Sequence, residues 1–130
     1  MSKSRWNPRY SVGNEEIDGQ HQRLVEMVSE LNEMIRKKKT DEIGTIFISL
    51  IEYTDNHFKT EERYFDKYAY PNKIEHKKIH DDLRKTVLDL KMRYEKGERV
   101  VTIELIHFLS NWVTNHILNE DKKYAPYIKS

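Results

Sequence analysis

Apolar residues recur along this chain in alternating steps of three and four, the spacing that lines one face of an α-helix. Four such stripes can be read. The first runs Ile17, His21, Leu24, Val28, Leu31, Ile35, and the second Ile43, Phe47, Leu50, Thr54, His57, Glu61, Tyr64, Tyr68. The third is His76, His80, Leu83, Val87, Leu90, Tyr94, and the fourth Leu105, Leu109, Trp112, His116. Punctuation separates them: Thr40-Asp41 suits an N-cap, Tyr70-Pro71-Asn72 stops one helix and can start the next, and Gly97 suits a C-terminal stop. The pattern predicts one domain over 1–130, with an arm over 1–16, helices over about 17–38, 41–68, 72–96 and 100–118, and a short tail over 119–130. Short connections make consecutive helices antiparallel neighbours, so the expected fold is all-α, an up-down-up-down four-helix bundle.

Polar residues interrupt every stripe, and the topology gives those interruptions a meaning. In such a bundle the start of the first helix, the end of the second, the start of the third and the end of the fourth lie at one end. His21, His57 with Glu61, His76 with His80, and His116 stand at those places. A single histidine on an apolar face is commonly a core residue hydrogen-bonded to a neighbour. Several imidazoles and a carboxylate buried together are costly unless a cation offsets their desolvation. Convergence therefore predicts a metal centre. His57/Glu61 and His76/His80 are i,i+4 pairs, each projecting two side chains from one helix face. Asp121 follows His116 by five residues, about 140° around an ideal helix, and is expected to join the site only where the helix ends or bends near Asn119-Glu120.

His107 precedes His116 by nine residues, about 180° around the helix, and falls off the stripe, so it is read as a surface residue and not a ligand. Glu104-Leu105-Ile106-His107 spells the Glu-x-x-His of carboxylate-rich di-iron bundles. Those sites combine two such motifs with further glutamates, and this chain carries one copy, out of phase.

Composition narrows the chemistry. The 130 residues suffice to enclose a core, and the absence of cysteine excludes disulfides, iron–sulfur clusters and thiolate zinc sites, so any metal is held by nitrogen and oxygen alone. A net charge of +1, from 23 basic and 22 acidic residues interspersed along the chain, gives no electrostatic case for nucleic acid or an acidic membrane surface. The basic run Arg36-Lys37-Lys38-Lys39 stands at an expected helix end, where cations suit the macrodipole. No apolar stretch has the form of a secretory signal or the length of a membrane span, so a cytoplasmic location is expected.

Taken in order as His21, His57-Phe-Lys-Thr-Glu61, His76-Lys-Lys-Ile-His80 and His116-Ile-Leu-Asn-Glu-Asp121, the candidate ligands resemble those of the hemerythrin family in its single-domain bacterial form. All seven positions match. The resemblance extends through the arm (Trp6, Ser11-Val12-Gly13-Asn14, Ile17-Asp18), the Tyr70-Pro71 turn and the run Asp121-Lys122-Lys123-Tyr124. It implies two irons joined by an oxo or hydroxo bridge, with His76, His80 and His116 on one, His21 and His57 on the other, and Glu61 and Asp121 bridging both. Five imidazoles, two bridging carboxylates and that bridge fill all but one position of two six-coordinate irons, leaving an open place on the iron with two histidines.

The activity this implies is reversible O2 binding for transport, storage or delivery to an oxygen-using enzyme, with no catalysis, by a monomer. The resemblance also implies an apolar wall around O2 made by Leu24, Phe58, Trp112, Val113 and Ile117, residues that equally serve as core. Many relatives carry Leu where this chain has Val113. Three alternatives stand beside this reading: O2 or redox sensing through a separate partner; peroxide, nitric oxide or iron detoxification, for which the chain offers no acid–base pair beyond the ligands; and zinc or manganese in place of iron, which ligand type alone does not exclude.

Overall fold

The first long helix begins where Asn14 turns its side-chain oxygen onto the Ile17 N–H, at 3.1 Å. That cap satisfies one of the helix's free amides, and Glu15, Glu16 and Asp18 in the first turn complement the positive end of its dipole. The computed structural model describes residues 8–38, 40–99 and 102–128, with only the backbone of residues 40, 41 and 103. After a short 3-10 turn (Pro8–Tyr10) come α1 (Glu15–Arg36), α2 (Thr40–Lys67), α3 (Lys73–Glu95) and α4 (Ile103–Asn115). A π-helical turn (His116–Asp121) then leads into a last short helix, α5 (Lys122–Tyr124).

The boundaries differ from the expected ones for local reasons. Helix α1 starts two residues early because Asn14 takes the cap. Helix α2 already includes Thr40, so its cap position falls on residue 39, outside the described residues. Helix α4 starts at Ile103 because the Thr102 hydroxyl accepts the Leu105 N–H at 3.2 Å; the expected start at residue 100 lies outside the described residues. Gly97 does close α3: at φ 90° it lets the Glu98 N–H reach the Arg93 carbonyl at 3.1 Å. Ala69 closes α2 in the same manner at φ 52°, with the Tyr70 N–H on the Phe65 carbonyl at 2.9 Å.

The four long helices run up-down-up-down, α1 packing on α2 and α4, and α2 on α3. Leu24, Val28, Leu31, Phe47, Leu50, Leu83, Val87, Leu105 and Leu109 fill the body of the bundle. Each such burial contributes about 1.5–3 kcal/mol. A smaller cluster of Val12, Ile17, Phe65, Tyr70, Tyr124 and Ile128 closes the other end. One stripe shifts: at the end of α2, Phe65 is buried and the expected Tyr68 is exposed. Helix α2 ends at Lys67, so Tyr68 falls in the closing turn at Ala69 and not on the helix face that the stripe assumes.

The arm is fastened to α1 by Asp18, which accepts the Ser11 hydroxyl at 2.5 Å and the Val12 N–H at 2.8 Å. Lys122 ties it to the C-terminal segment by donating to the Ser11 carbonyl at 2.8 Å. No described helix is long and apolar enough to cross a membrane.

Gly44 on α2 makes room for Tyr94 of α3. A Cβ there would overlap the Tyr94 hydroxyl oxygen and stand 2.9 Å from Cζ, and Tyr94 is held edge-to-face on Phe47 at 5.7 Å. Gly44→Ala should therefore destabilise the fold by about 1–3 kcal/mol despite its better helix propensity, measured as a lower urea midpoint with unchanged slope.

Candidate metal centre

Between the two apolar clusters lies a layer of seven polar side chains. α1 supplies His21, α2 supplies His57 and Glu61, α3 supplies His76 and His80, and the π-helical turn supplies His116 and Asp121. All seven are buried, none more than 5% exposed. The structure thus brings together every residue that sequence reasoning placed in the site.

Asp121 arrives differently from the expected route. The chain neither ends nor bends at Asn119-Glu120; it leaves α geometry earlier, at His116. Closing hydrogen bonds from i to i+5 widens the turn, so residues five apart face the same way. His116 Nε2 and Asp121 Oδ1 consequently stand 2.9 Å apart.

The layer divides into halves that share both carboxylates. On one side Glu61 Oε2 lies 3.1 Å from His21 Nε2 and 3.2 Å from His57 Nε2, and Asp121 Oδ2 lies 3.0 Å from His21 Nε2. On the other, Glu61 Oε1 lies 3.1 Å from His80 Nε2 and 3.8 Å from His76 Nε2, while Asp121 Oδ1 lies 3.0 Å from His76 Nε2. One ligand atom from each of Glu61, His76, His80, His116 and Asp121 lies within 4.8 Å of the others, as does one from each of His21, His57, Glu61 and Asp121.

Several of these atoms crowd together in the way ligands of a shared cation do. Glu61 Oε1, both Asp121 oxygens and His76 Nε2 are buried and complete no well-aligned hydrogen bond, although imidazole and carboxylate approach to about 3 Å. His80 Nε2 and His116 Nε2 face each other at 3.2 Å. Unpartnered buried polar atoms are costly, and this donor set of imidazole nitrogens and carboxylate oxygens suits iron, zinc or manganese. The residues present fit a pair of such ions.

The site's own electrostatics hold it charged when metal-free. Burial alone would lower the His21 and His80 pKa values. Asp121 and Glu61 outweigh it at His21, and Glu61 and Glu62 at His80, raising each to about 9. His57 is lowered, burial prevailing over its pairing with Glu61. Burial pushes Glu61 and Asp121 up, but the surrounding imidazoles hold both carboxyls below the usual range.

A surrounding shell sets the orientation of the rings. His80 Nδ1 lies 2.9 Å from Glu62 Oε2, and Arg84 grips Glu62 at 2.9 Å. His57 Nδ1 lies 2.7 Å from Gln20 Oε1, whose amide nitrogen donates to Thr60 at 3.2 Å. Both contacts put the ring hydrogen on Nδ1 and leave Nε2 for the centre. Tyr124 donates its hydroxyl to Glu61 Oε2 at 2.5 Å, and burial keeps that phenol protonated by holding its pKa well above the usual range. Sequence reasoning did not single out Gln20, Glu62 and Arg84, and gave Tyr124 no role. The available signal was the need of a metal-bound imidazole for an acceptor at its second nitrogen, which points to polar residues beside the stripe.

An apolar cavity of about 30 Å3 abuts the layer, enough for a diatomic molecule or a water. Leu24, Phe58, Trp112, Val113 and Ile117 all line it, as do His21, His57, His116 and Asp121; His76 and His80 do not. His107 is exposed on α4, away from the layer. His107→Ala should leave the metal bound per chain unchanged, read by elemental analysis after gel filtration; a loss would place a ligand at that position.

A buried histidine–carboxylate layer inside four antiparallel helices defines a metal-binding four-helix bundle. The family profile of the Hemerythrin HHE cation binding domain matches residues 12–128, and the chain belongs to that hemerythrin family. It is 34% identical over 129 residues to a bacteriohemerythrin of Pseudomonas aeruginosa, covering 99% of this chain and 84% of that protein. Against the bacteriohemerythrin of Methylococcus capsulatus it is 34% identical over 113 residues, covering 87% and 86%. Among solved structures, wild-type hemerythrin superposes with a TM-score of 0.92 at 30% identity over 98% of each chain, and a leucine-to-alanine mutant of hemerythrin with 0.94 over 100% of each.

Proposed function

We propose that this chain binds O2 reversibly at a non-haem di-iron centre, as a cytoplasmic monomer that carries, stores or delivers O2 to an oxygen-using enzyme without catalysis of its own. His76, His80 and His116 would hold one iron and His21 and His57 the other, with Glu61 and Asp121 spanning both beside an oxo or hydroxo bridge. Two ferrous ions there supply the two electrons that reversible O2 uptake requires.

The observation that carries the reading is where the cavity lies. It meets both histidines of the two-histidine half, where a coordination place would be open, and of the three-histidine half it touches His116 but neither His76 nor His80. Leu24, Phe58, Trp112, Val113 and Ile117 make that approach apolar, which admits a diatomic gas and disfavours water and ions. Tyr124, protonated and fixed on Glu61, orients one shared carboxylate without offering the cavity a proton, because its hydroxyl is engaged away from it. Glu62 and Gln20 keep the His80 and His57 rings from rotating. Each of these residues holds or shields; none is placed as a free acid or base toward the cavity.

The test is to load the chain with ferrous iron anaerobically, admit air, then remove O2 while recording the optical spectrum. Charge-transfer absorption that appears with air and vanishes on deoxygenation, at two irons per chain, is the expected result. One-way conversion to the ferric form with release of peroxide would overturn it.

A further inference from the structure

Two hollows meet across one thin wall. Inside the bundle is the cavity of about 30 Å3, and outside, between α2 and α3, a surface groove of about 350 Å3. Ile51, Thr54, Phe58 and Val87 line both. Two of these four are fixed. Phe58 is buried, stacked on His80 with centroids 3.8 Å apart and planes 4° from parallel, and the Arg84 guanidinium lies 5.3 Å from its ring centre. Val87 is buried and β-branched, hence stiff. Ile51 and Thr54 are only partly buried, so they touch solvent and cavity at once.

The chemistry of the wall suits an apolar passenger. The Thr54 hydroxyl donates to the Leu50 carbonyl at 2.7 Å, so its hydrogen is engaged on its own helix. The outer groove carries Glu52, Asp55, Arg84 and Lys91, and an ion or water leaving that rim loses partners it cannot replace inside. On the α4 face Trp112 and Val113 are also partly exposed while lining the cavity. There the indole is stacked on His116, with centroids 4.3 Å apart and planes 13° from parallel, which fixes it across the opening.

We propose that small apolar molecules enter and leave the cavity through the α2–α3 groove, with Ile51 and Thr54 as the gate. The passenger being O2 rests on the function proposed above. Side-chain rotation at partly exposed positions is fast, so the gate sets rates without sealing the protein. A steric gate raises the barrier equally for entry and exit, and therefore alters both rate constants and leaves their ratio alone.

The chain has no cysteine, so Thr54→Cys gives one thiol that can be capped with a benzyl group through a disulfide and uncapped by a reductant. In the metal-free protein, xenon exchange with the cavity, followed by xenon NMR, should slow at least about tenfold on capping and recover on uncapping. Thr54→Ala should speed it, which keeps the test decisive if the capped chain does not fold. In the iron-loaded protein, O2 association and dissociation should slow by one common factor, with Kd unchanged within about twofold. Unchanged xenon exchange on capping, or slowing by Val113→Phe instead, would overturn the gate. Slowed xenon exchange in a chain that shows no reversible O2 signal supports the gate and overturns the O2 reading.

Discussion

Replacing Asp121 by alanine should weaken metal binding in both halves of the centre together, by at least about a hundredfold each. One oxygen of this side chain stands 2.9 Å and 3.0 Å from His116 and His76, and the other 3.0 Å from His21. Among the described residues only Glu61 also reaches across in this way. His80→Ala is the contrast, because His80 Nε2 meets only Glu61 Oε1 and His116 on the three-histidine side. That variant should keep one metal per chain, and Asp121→Ala close to none, by elemental analysis after gel filtration. A single metal retained in Asp121→Ala would show that the halves do not depend on a shared carboxylate.

Stripping the metal should lower the melting temperature by roughly 15 °C, since a ligand at a thousandfold excess over its Kd stabilises a chain of this size by about 4 kcal/mol. The pH dependence should also reverse in sign between the two forms. In the metal-free chain His21 and His80 have folded pKa values near 9, above the unfolded 6.5. Their contribution is complete below pH 6.5 and is lost as pH rises toward 9. His57, lowered by burial, works in the opposite direction but only below 6.5, outside that window. Glu61 and Asp121, held low, lose their contribution only in acid. Metal binding releases the His21 and His80 protons and so strengthens over the same rise in pH. Melting temperatures measured at pH 6.5 and 9 should therefore fall for the metal-free chain and hold or rise for the loaded one; parallel slopes would show that these histidines are not protonated in the metal-free fold.

Much of the centre was legible in the stripes. Hydrophobic phase plus the antiparallel rule put His21, His57, Glu61, His76, His80 and His116 at one end of the bundle, because a regular helix converts sequence spacing into direction. What the pattern could not convey were departures from regularity. Asp121 looked misdirected because the rotation was counted at the α-helical pitch, and nothing in Ile117-Leu118-Asn119-Glu120 announces a wider turn. Tyr68 was placed inward by extending the stripe one residue past the end of α2, into the turn that Ala69 makes. Residues 119–130 read only as a short tail, yet they place Tyr124 and Ile128 in complete burial, because their partners come from the arm and from the end of α2. The Gln20, Glu62 and Arg84 shell was invisible for a related reason: residues beside a stripe look solvent-facing until one knows which ring nitrogen they must serve.

The π-helical turn has a further consequence for how such a centre can be assembled from different parts. On α2 a histidine is matched to a shared carboxylate four residues later, with regular backbone and the longer side chain of Glu61 covering the distance. At the end of α4 the match is made five residues later by the shorter Asp121, and the backbone supplies the missing reach by widening. Side-chain length and helical pitch are thus interchangeable ways of spanning one gap. They are not equivalent for the rest of the chain, because the added residue rotates everything after it. That rotation is what carries Tyr124 round to Glu61 and Ile128 beneath the bundle. Deleting one residue between 116 and 121 while lengthening Asp121 to Glu would restore the α2 style of pairing and leave the floor of the protein facing the wrong way.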